Sequence, residues 1–181
     1  MIRRDDCQRL VYILHPNSRT TTYGYDQAGN RSNELINESN VTTENIYHYN
    51  EQNRLTDISR KVNNVLIETT VYAYDNNGNQ LTTVVNTYQD GAFTSSVTAS
   101  DNTYDVFNQL IKTVSDDGTV VNNIYNAEGY RTGKEVDGEQ AYYFYEADKV
   151  ILEVDDNEEQ KSRNVYGTNL LMREVVRRDL I

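Results

Sequence analysis

The sequence predicts an all-β protein: an antiparallel meander of consecutive hairpins forming an open, curved, twisted sheet. Three observations predict it. The chain holds 15 Tyr, three Phe, no Trp and a single Pro, with Asn, Thr and Val abundant. Tyr, Val and Thr suit a pleated, half-buried surface, and Asn, Asp and Gly suit turns. A Tyr-x-Tyr-Asx pattern recurs along the chain, and Asx-Gly or Asn-Asn pairs split the runs between its copies.

The copies run in order. They read Tyr23-Gly-Tyr25-Asp26-Gln-Ala-Gly29-Asn30-Arg31, then Tyr47-His-Tyr49-Asn50-Glu-Gln-Asn53-Arg54-Leu55, then Tyr72-Ala-Tyr74-Asp75-Asn-Asn-Gly78-Asn79-Gln80-Leu81. A shorter copy, Tyr104-Asp105-Val-Phe-Asn108-Gln109-Leu110, comes next. Two worn copies follow, Tyr125-Asn126-Ala-Glu-Gly129-Tyr130-Arg131 and Tyr143-Phe-Tyr145-Glu146. The second tyrosines fall at 25, 49, 74, 104, 125 and 145, in steps of 24, 25, 30, 21 and 20 residues.

Each copy reads as a hairpin. Side chains alternate with period two along a strand, so Tyr-x-Tyr sets both rings on one face. The Asx that follows accepts hydrogen bonds from backbone N–H groups just ahead and starts a turn. Gly29 and Gly78, three places on, suit the last position of a type I turn. The returning strand then begins, with Leu55, Leu81 and Leu110 as inward anchors.

A second set of turns is expected at Asn63-Asn64, Asp90-Gly91, Asp116-Asp117-Gly118 and Asp137-Gly138. The long step before Tyr104 reflects longer arms around Asp90-Gly91. The polar stretches 39–45 and 94–100 read as exposed loops or strand ends.

A length of 181 residues predicts about one domain. We expect a single repeat domain over 1–181, with an atypical segment 1–18, about six repeats over 19–171 and a basic-apolar tail at 172–181. Hydrophobic content is 37%, so the core should be thin and spread along the chain.

Charge and residue usage narrow the function. Lys and Arg number 17 against 28 Asp and Glu, a net charge of −11, which repels a phosphate backbone and argues against nucleic-acid binding. The one cysteine, Cys7, has no internal disulfide partner, and with His15 and His48 it makes no zinc site. No run approaches the length of a membrane span, and the apolar run Leu10–Leu14 is too short for a signal-peptide core. The compartment is therefore left open.

Candidate chemistry resolves into turn chemistry. Asp75-Asn-Asn-Gly-Asn79 alternates oxygen ligands as a calcium loop does, but Gln80 and Asn86 stand where Gly and Glu are needed. The carboxylate pairs Asp116-Asp117 and Asp155-Asp156 fall in expected exposed turns, with no pocket to shift them. His48 faces away from Tyr47 and Tyr49, and no Gly-x-Ser-x-Gly turn exists. Asn30, Asn37 and Asn40 head glycosylation triplets that an Asn/Thr-rich composition produces by itself. No catalytic, cofactor-binding or metal-binding residue is assigned, and the chain is expected not to be an enzyme.

The Tyr-x-Tyr-Asp-x-x-Gly-Asn-Arg copies resemble the YD repeats of the Rhs/YD-repeat family, over roughly residues 20–170. The stretch from Tyr143 to Asp155, followed by Asn164-Val-Tyr-Gly167, is similar to the last repeats of Rhs proteins. That family includes bacterial wall-associated and polymorphic toxin proteins, insecticidal toxin-complex subunits and animal teneurins. The resemblance implies strands wound into a β-shell or spiral, in the toxins around an effector, with the repeated tyrosines packed as ladders between strands.

Complete shells hold many more than six repeats, and the toxin shells end near an Asp-Pro-x-Gly segment that supports self-cleavage. Pro16 is the only proline here, so the chain resembles a truncated arc without a cleavage site. The expected function is a non-enzymatic structural module that scaffolds or encloses a polypeptide. A carbohydrate- or cell-surface-binding module is the alternative, because rows of Tyr beside Asn and Asp can stack on sugars. A remnant of an autoproteolytic core is the third reading. Expected partners are a second copy through exposed edge strands, other YD-repeat segments, or an enclosed polypeptide. The residues expected to carry the repeat are Tyr23, Tyr25, Asp26, Gly29, Tyr47, Tyr49, Asn50, Tyr72, Tyr74, Asp75, Gly78, Tyr104, Asp105, Tyr125, Gly129, Tyr143 and Tyr145.

Overall fold

Turn and strand residues alternate about every ten positions, and the chain follows them. The computed structural model describes residues 1–176, and all their regular structure is β-strand. Two compact units divide the chain, Met1–Ser100 and Asp101–Ile181. The first carries β1 (Ile2–Arg4), β2 (Leu10–Leu14), β3 (Thr20–Tyr25), β4 (Arg31–Glu38), β5 (Val41–Tyr49), β6 (Leu55–Val62), β7 (Val65–Tyr74) and β8 (Gln80–Gln89). β9 (Ala92–Tyr104) runs across the division. The second unit continues with β10 (Leu110–Ser115), β11 (Val120–Tyr125), β12 (Arg131–Val136), β13 (Glu139–Glu146), β14 (Lys149–Asp155), β15 (Gln160–Tyr166) and β16 (Leu170–Val175). Hydrogen-bonded neighbours follow chain order without a crossover, and β1 and β16 do not pair with each other.

Ala147-Asp148, with positive φ at Ala147 alone, joins β13 to β14, and residues 167–169 join β15 to β16. Two kinds of turn make the other connections. Four are two-residue turns with positive φ at both positions: Ser39-Asn40, Asn63-Asn64, Asp90-Gly91 and Asp137-Gly138. Their mirror-image twist matches that of the flanking strands. The other kind spans five residues. Its first residue donates its N–H to the carbonyl of the fifth, and its carbonyl accepts the N–H of the fourth. Turns 5–9, 15–19, 26–30, 50–54, 75–79, 105–109, 115–119, 126–130 and 155–159 all share this pattern. In each the fourth residue is left-handed: Gln8, Ser18, Gly29, Asn53, Gly78, Asn108, Gly118, Gly129 and Glu158. A type I turn closed by a left-handed residue requires that φ.

Several expectations change here. Turn 115–119, read from Asp116-Asp117-Gly118 as a short Asx-Gly link, is of the five-residue kind with Ser115 in the opening position. Residues 1–18, which showed no repeat, carry two such turns; Asp5-Asp-Cys-Gln-Arg-Leu10 lines up with Asn50-Glu-Gln-Asn-Arg-Leu55 once tyrosine is not demanded before it. The stretches 39–45 and 94–100, expected as exposed loops or strand ends, are strand apart from one turn: within 39–45 only Ser39-Asn40 turns, and 94–100 lies inside β9. Residues 94–98 stay in solvent, whereas 42–45 are half-buried. In the expected tail, residues 172–175 belong to β16, and 177–181 lie outside the described residues.

The register slips by one residue beside the turns. Gly24 opposes Asn33 but Tyr25 opposes Arg31; His48 opposes Asp57 but Tyr49 opposes Leu55; Ala73 opposes Thr82 but Tyr74 opposes Gln80. In the second unit Ile124 opposes Gly133 and Tyr125 opposes Arg131. The returning strand thus carries one extra residue just after the turn, a β-bulge that adds local right-handed twist.

Packing is thin. Ala141 and Val154 are the only apolar residues counted as buried among the described ones. Cross-strand side-chain pairs and the backbone ladder therefore carry the stability, with no second layer to hide a large core.

Candidate functional site

The repeated feature that the folding builds is a node at each five-residue turn. Where the opener is Asp or Asn, its side chain accepts backbone N–H groups two and four residues ahead. Asn50 Oδ1 takes those of Gln52 and Arg54 at 3.0 Å each, and Asp105 Oδ1 takes those of Phe107 and Gln109 at 2.9 Å each. Where the opener is Asp, its second oxygen can hold the side chain of the fifth residue. Asn30 Nδ2 donates to Asp26 Oδ2 at 3.0 Å, Asn79 Nδ2 to Asp75 Oδ2 at 2.8 Å, and Arg9 Nε to Asp5 Oδ2 at 2.7 Å. Partial burial pulls the Asp26, Asp75 and Asp5 carboxyls upward, but these hydrogen bonds outweigh it and hold all three below their ordinary value.

In five of the six copies the second tyrosine, or the single one at 125, reaches back to the main chain beside an earlier five-residue turn. Tyr25 Oη donates to the Leu10 carbonyl at 2.7 Å, Tyr49 to Arg31 at 3.1 Å, and Tyr74 to Leu55 at 2.9 Å. In the second unit Tyr125 donates to Leu110 at 3.1 Å and Tyr145 to Arg131 at 2.9 Å. Each of these acceptors is the first residue after an earlier five-residue turn, whether Leu or Arg; turn 15–19 lies between Tyr25 and its acceptor, and turn 115–119 between Tyr125 and its own. Tyr104 closes β9 at the turn that Asp105 opens.

Neighbouring side chains cover the rings. The Arg9 guanidinium lies 4.6 Å from the Tyr25 centroid, Arg31 4.5 Å from Tyr23, and Arg131 5.2 Å from Tyr143. Arg54 stands 6.0 Å from the Tyr74 centroid, and Tyr130 packs on Tyr145 at 5.0 Å. The first tyrosines sit on the same face as the second, with the residue between them exposed at His48, Ala73 and Phe144. Burial raises the Tyr23, Tyr47, Tyr49, Tyr72 and Tyr143 hydroxyls above their ordinary pKa, and the Glu34 carboxylate beside Tyr23 and Tyr47 adds to it.

Gly78 serves two needs at once. Its φ is +95°, and a Cβ there would meet the Arg54 guanidinium at 2.8 Å. That guanidinium also donates through Nη1 to the Asp75 carbonyl at 3.2 Å. Arg54 thus ties one turn to the next, as Asn30 Nδ2 does by donating to Asn53 Oδ1 at 2.9 Å.

Sequence reasoning identified the tyrosines and the turn openers. It missed the acceptor, because a carbonyl leaves no mark in the sequence, and it gave Leu55 and Leu110 the anchoring role through their side chains. It also missed Arg9, Arg54 and Tyr130; their shared place, last in the turn, was the available signal.

Other candidate groups stay apart. His48 Nδ1 and Asp57 Oδ1 meet at 2.6 Å on the face opposite the tyrosines, with His48 58% exposed. Asp155 is buried rather than exposed, because it opens turn 155–159, while Asp156 is in solvent. Asp117 is held below its ordinary value, chiefly by hydrogen bonds from Thr119. Among the described residues no group of three or more His, Cys, Asp or Glu is placed to hold a metal ion.

The sequence matches no family model and no curated protein. Several solved structures match the chain at low identity. A crystal structure of TcdB2–TccC3–TEV matches at a TM-score of 0.48 with 14% identity, over 99% of this chain and 12% of that one. A crystal structure of TcdB2–TccC3–Cdc42 matches at 0.36 with 13% identity, over 93% and 10%. A Tc holotoxin pore of Photorhabdus luminescens matches at 0.35 with 10% identity, over 94% and 12%. This chain therefore spans about an eighth of their length or less.

Proposed function

We propose that this chain is a non-enzymatic structural module, an arc of an Rhs/YD-type β-shell that scaffolds or encloses a polypeptide. One observation carries the reading. The second tyrosine of successive copies spends its hydroxyl on the main chain of the preceding hairpin. A residue so used holds strands together, and a ligand-reading aromatic needs a free face and a free hydroxyl. Arginine or tyrosine covers several of these rings.

The test sets Tyr25→Phe, Tyr49→Phe and Tyr74→Phe against a glycan panel. Each variant is expected to melt earlier than the parent chain, and neither parent nor variants should bind a glycan in a tyrosine-dependent way. Variants that keep the parent melting temperature but lose binding to a glycan would replace this reading with the carbohydrate-binding one.

A further inference from the structure

Around Tyr142 and Phe144, and touching the repeat residue Tyr143, the second unit exposes an apolar trough of about 810 Å³. Its construction follows from register. Ile124 opposes Gly133, Gly133 opposes Tyr142, and Tyr142 opposes Val154, while Phe144 opposes Leu152. Gly133 supplies no side chain, so the sheet surface dips between Ile124 on one wall and Tyr142 on the other. A Cβ at Gly133 would already touch Ile124 Cδ1 at 3.2 Å. The walls are open to solvent: Ile124 is 55% and Phe144 50% exposed. A patch of this kind on a thin sheet marks an interaction surface.

Charge selects the occupant. Asp156 and Glu158 close the trough at one side. Residues 101–181 hold 17 Asp and Glu against nine Lys and Arg, so eight of the eleven excess negative charges belong to this unit. The same trough on a second copy would set Asp156 and Glu158 against like charge, and an anionic surface fares no better at this site.

We infer that the trough takes an extended polypeptide segment in which apolar and basic residues alternate. Period two places its apolar side chains against Ile124, Tyr142 and Phe144 and leaves its Lys or Arg to Asp156 and Glu158. The inference rests on the structural-module reading above and names the chemistry of the enclosed or scaffolded chain.

The test titrates the full chain with a short peptide alternating Leu and Lys, beside controls alternating Leu with Glu and Ser with Lys. The Leu/Lys peptide should bind, more weakly as salt rises, and both controls should bind at least about tenfold more weakly. The exposed-wall variant Ile124→Ser/Phe144→Ser should lose about tenfold in affinity with its circular dichroism unchanged. Should that variant fail to fold, Asp156→Asn/Glu158→Gln leaves the apolar walls alone and should lose the salt-dependent part of binding. Absence of Leu/Lys binding, equal binding of the Leu/Glu peptide, or equal affinity of the variants would overturn the inference. Light scattering that shows self-association abolished by Ile124→Ser/Phe144→Ser would overturn it too, by naming a second copy as the occupant. Failure here leaves the Tyr→Phe melting series untouched, since Tyr25, Tyr49 and Tyr74 belong to the first unit and the trough to the second.

Discussion

A tyrosine hydroxyl that donates to a main-chain carbonyl contributes about 0.5–1.5 kcal/mol net, and its loss leaves a partly buried acceptor unmatched. Tyr74→Phe should therefore destabilise the first unit by roughly 1 kcal/mol in urea denaturation. Tyr74→Ala, which also removes the ring beneath Arg54, should cost about 2 kcal/mol or more. Tyr88→Ala should cost less, because Tyr88 meets only Thr69 Oγ1 at a long 3.4 Å and Phe93 edge-on at 5.9 Å. Equal effects at the two positions would contradict the tyrosine node.

The turn-opening carboxylates give a pH dependence whose sign follows from their lowered pKa values. A group held lower in the folded state than in the unfolded chain adds stability that is fully present above its unfolded pKa. That stability is lost as pH falls through the folded value. The chain should thus lose stability on the acid side of the ordinary aspartate range. Asp26→Asn/Asp75→Asn keeps an oxygen acceptor but no titrating charge, as Asn50 already does, so it should flatten the fall in melting temperature between mildly acidic and strongly acidic buffer.

At the scale of the element, the five-residue turn is the unit of design. Gly78→Ala should cost about 1–3 kcal/mol from left-handed strain, plus the displacement of Arg54. Gly29 has a similar φ of +90° but nothing within 4 Å of a Cβ, so Gly29→Ala should cost less. The difference between the two, read from thermal melts, isolates the contact between consecutive turns.

This is also where the sequence was most legible. Tyr-x-Tyr announces a strand face and Asx three residues before Gly announces the turn, because both are local rules of side-chain alternation and hydrogen bonding. The turns opened by Asp5 and His15 were hidden, since their left-handed residues at Gln8 and Ser18 carry no glycine signal and their strands lack the tyrosine pair. Strand at 41–45 and 94–100 was not told from loop for another reason: polar residues have no hydrophobic period to betray it. The trough depends on which residue opposes Gly133, and that is a matter of register that no local pattern encodes.

At the scale of the whole molecule, strands contact only their sequence neighbours, so stability is a sum of local terms. A substitution inside the first unit, Tyr49→Ala for instance, should raise amide exchange within residues 1–100 and leave the second unit's strands protected. Uniform loss of protection would point to a single cooperative block. The edge strands carry a further proposal. β16 presents Leu171 at 72% and Met172 at 52% exposure, and an apolar edge invites pairing with another strand. We propose self-association through it, so that light scattering at rising concentration should show a dimer or larger species and Met172→Lys should reduce it. A monomer throughout would contradict the proposal.

Because the tyrosine hydroxyl lands on main chain, the side chain at the receiving position is free to be Leu at 10, 55 and 110 or Arg at 31 and 131. Hairpins with different residues at that position thus offer the same socket to a later tyrosine. Duplication, loss or exchange of a hairpin then needs no matching change next door, and the architecture can lengthen or drift in sequence while every joint stays the same.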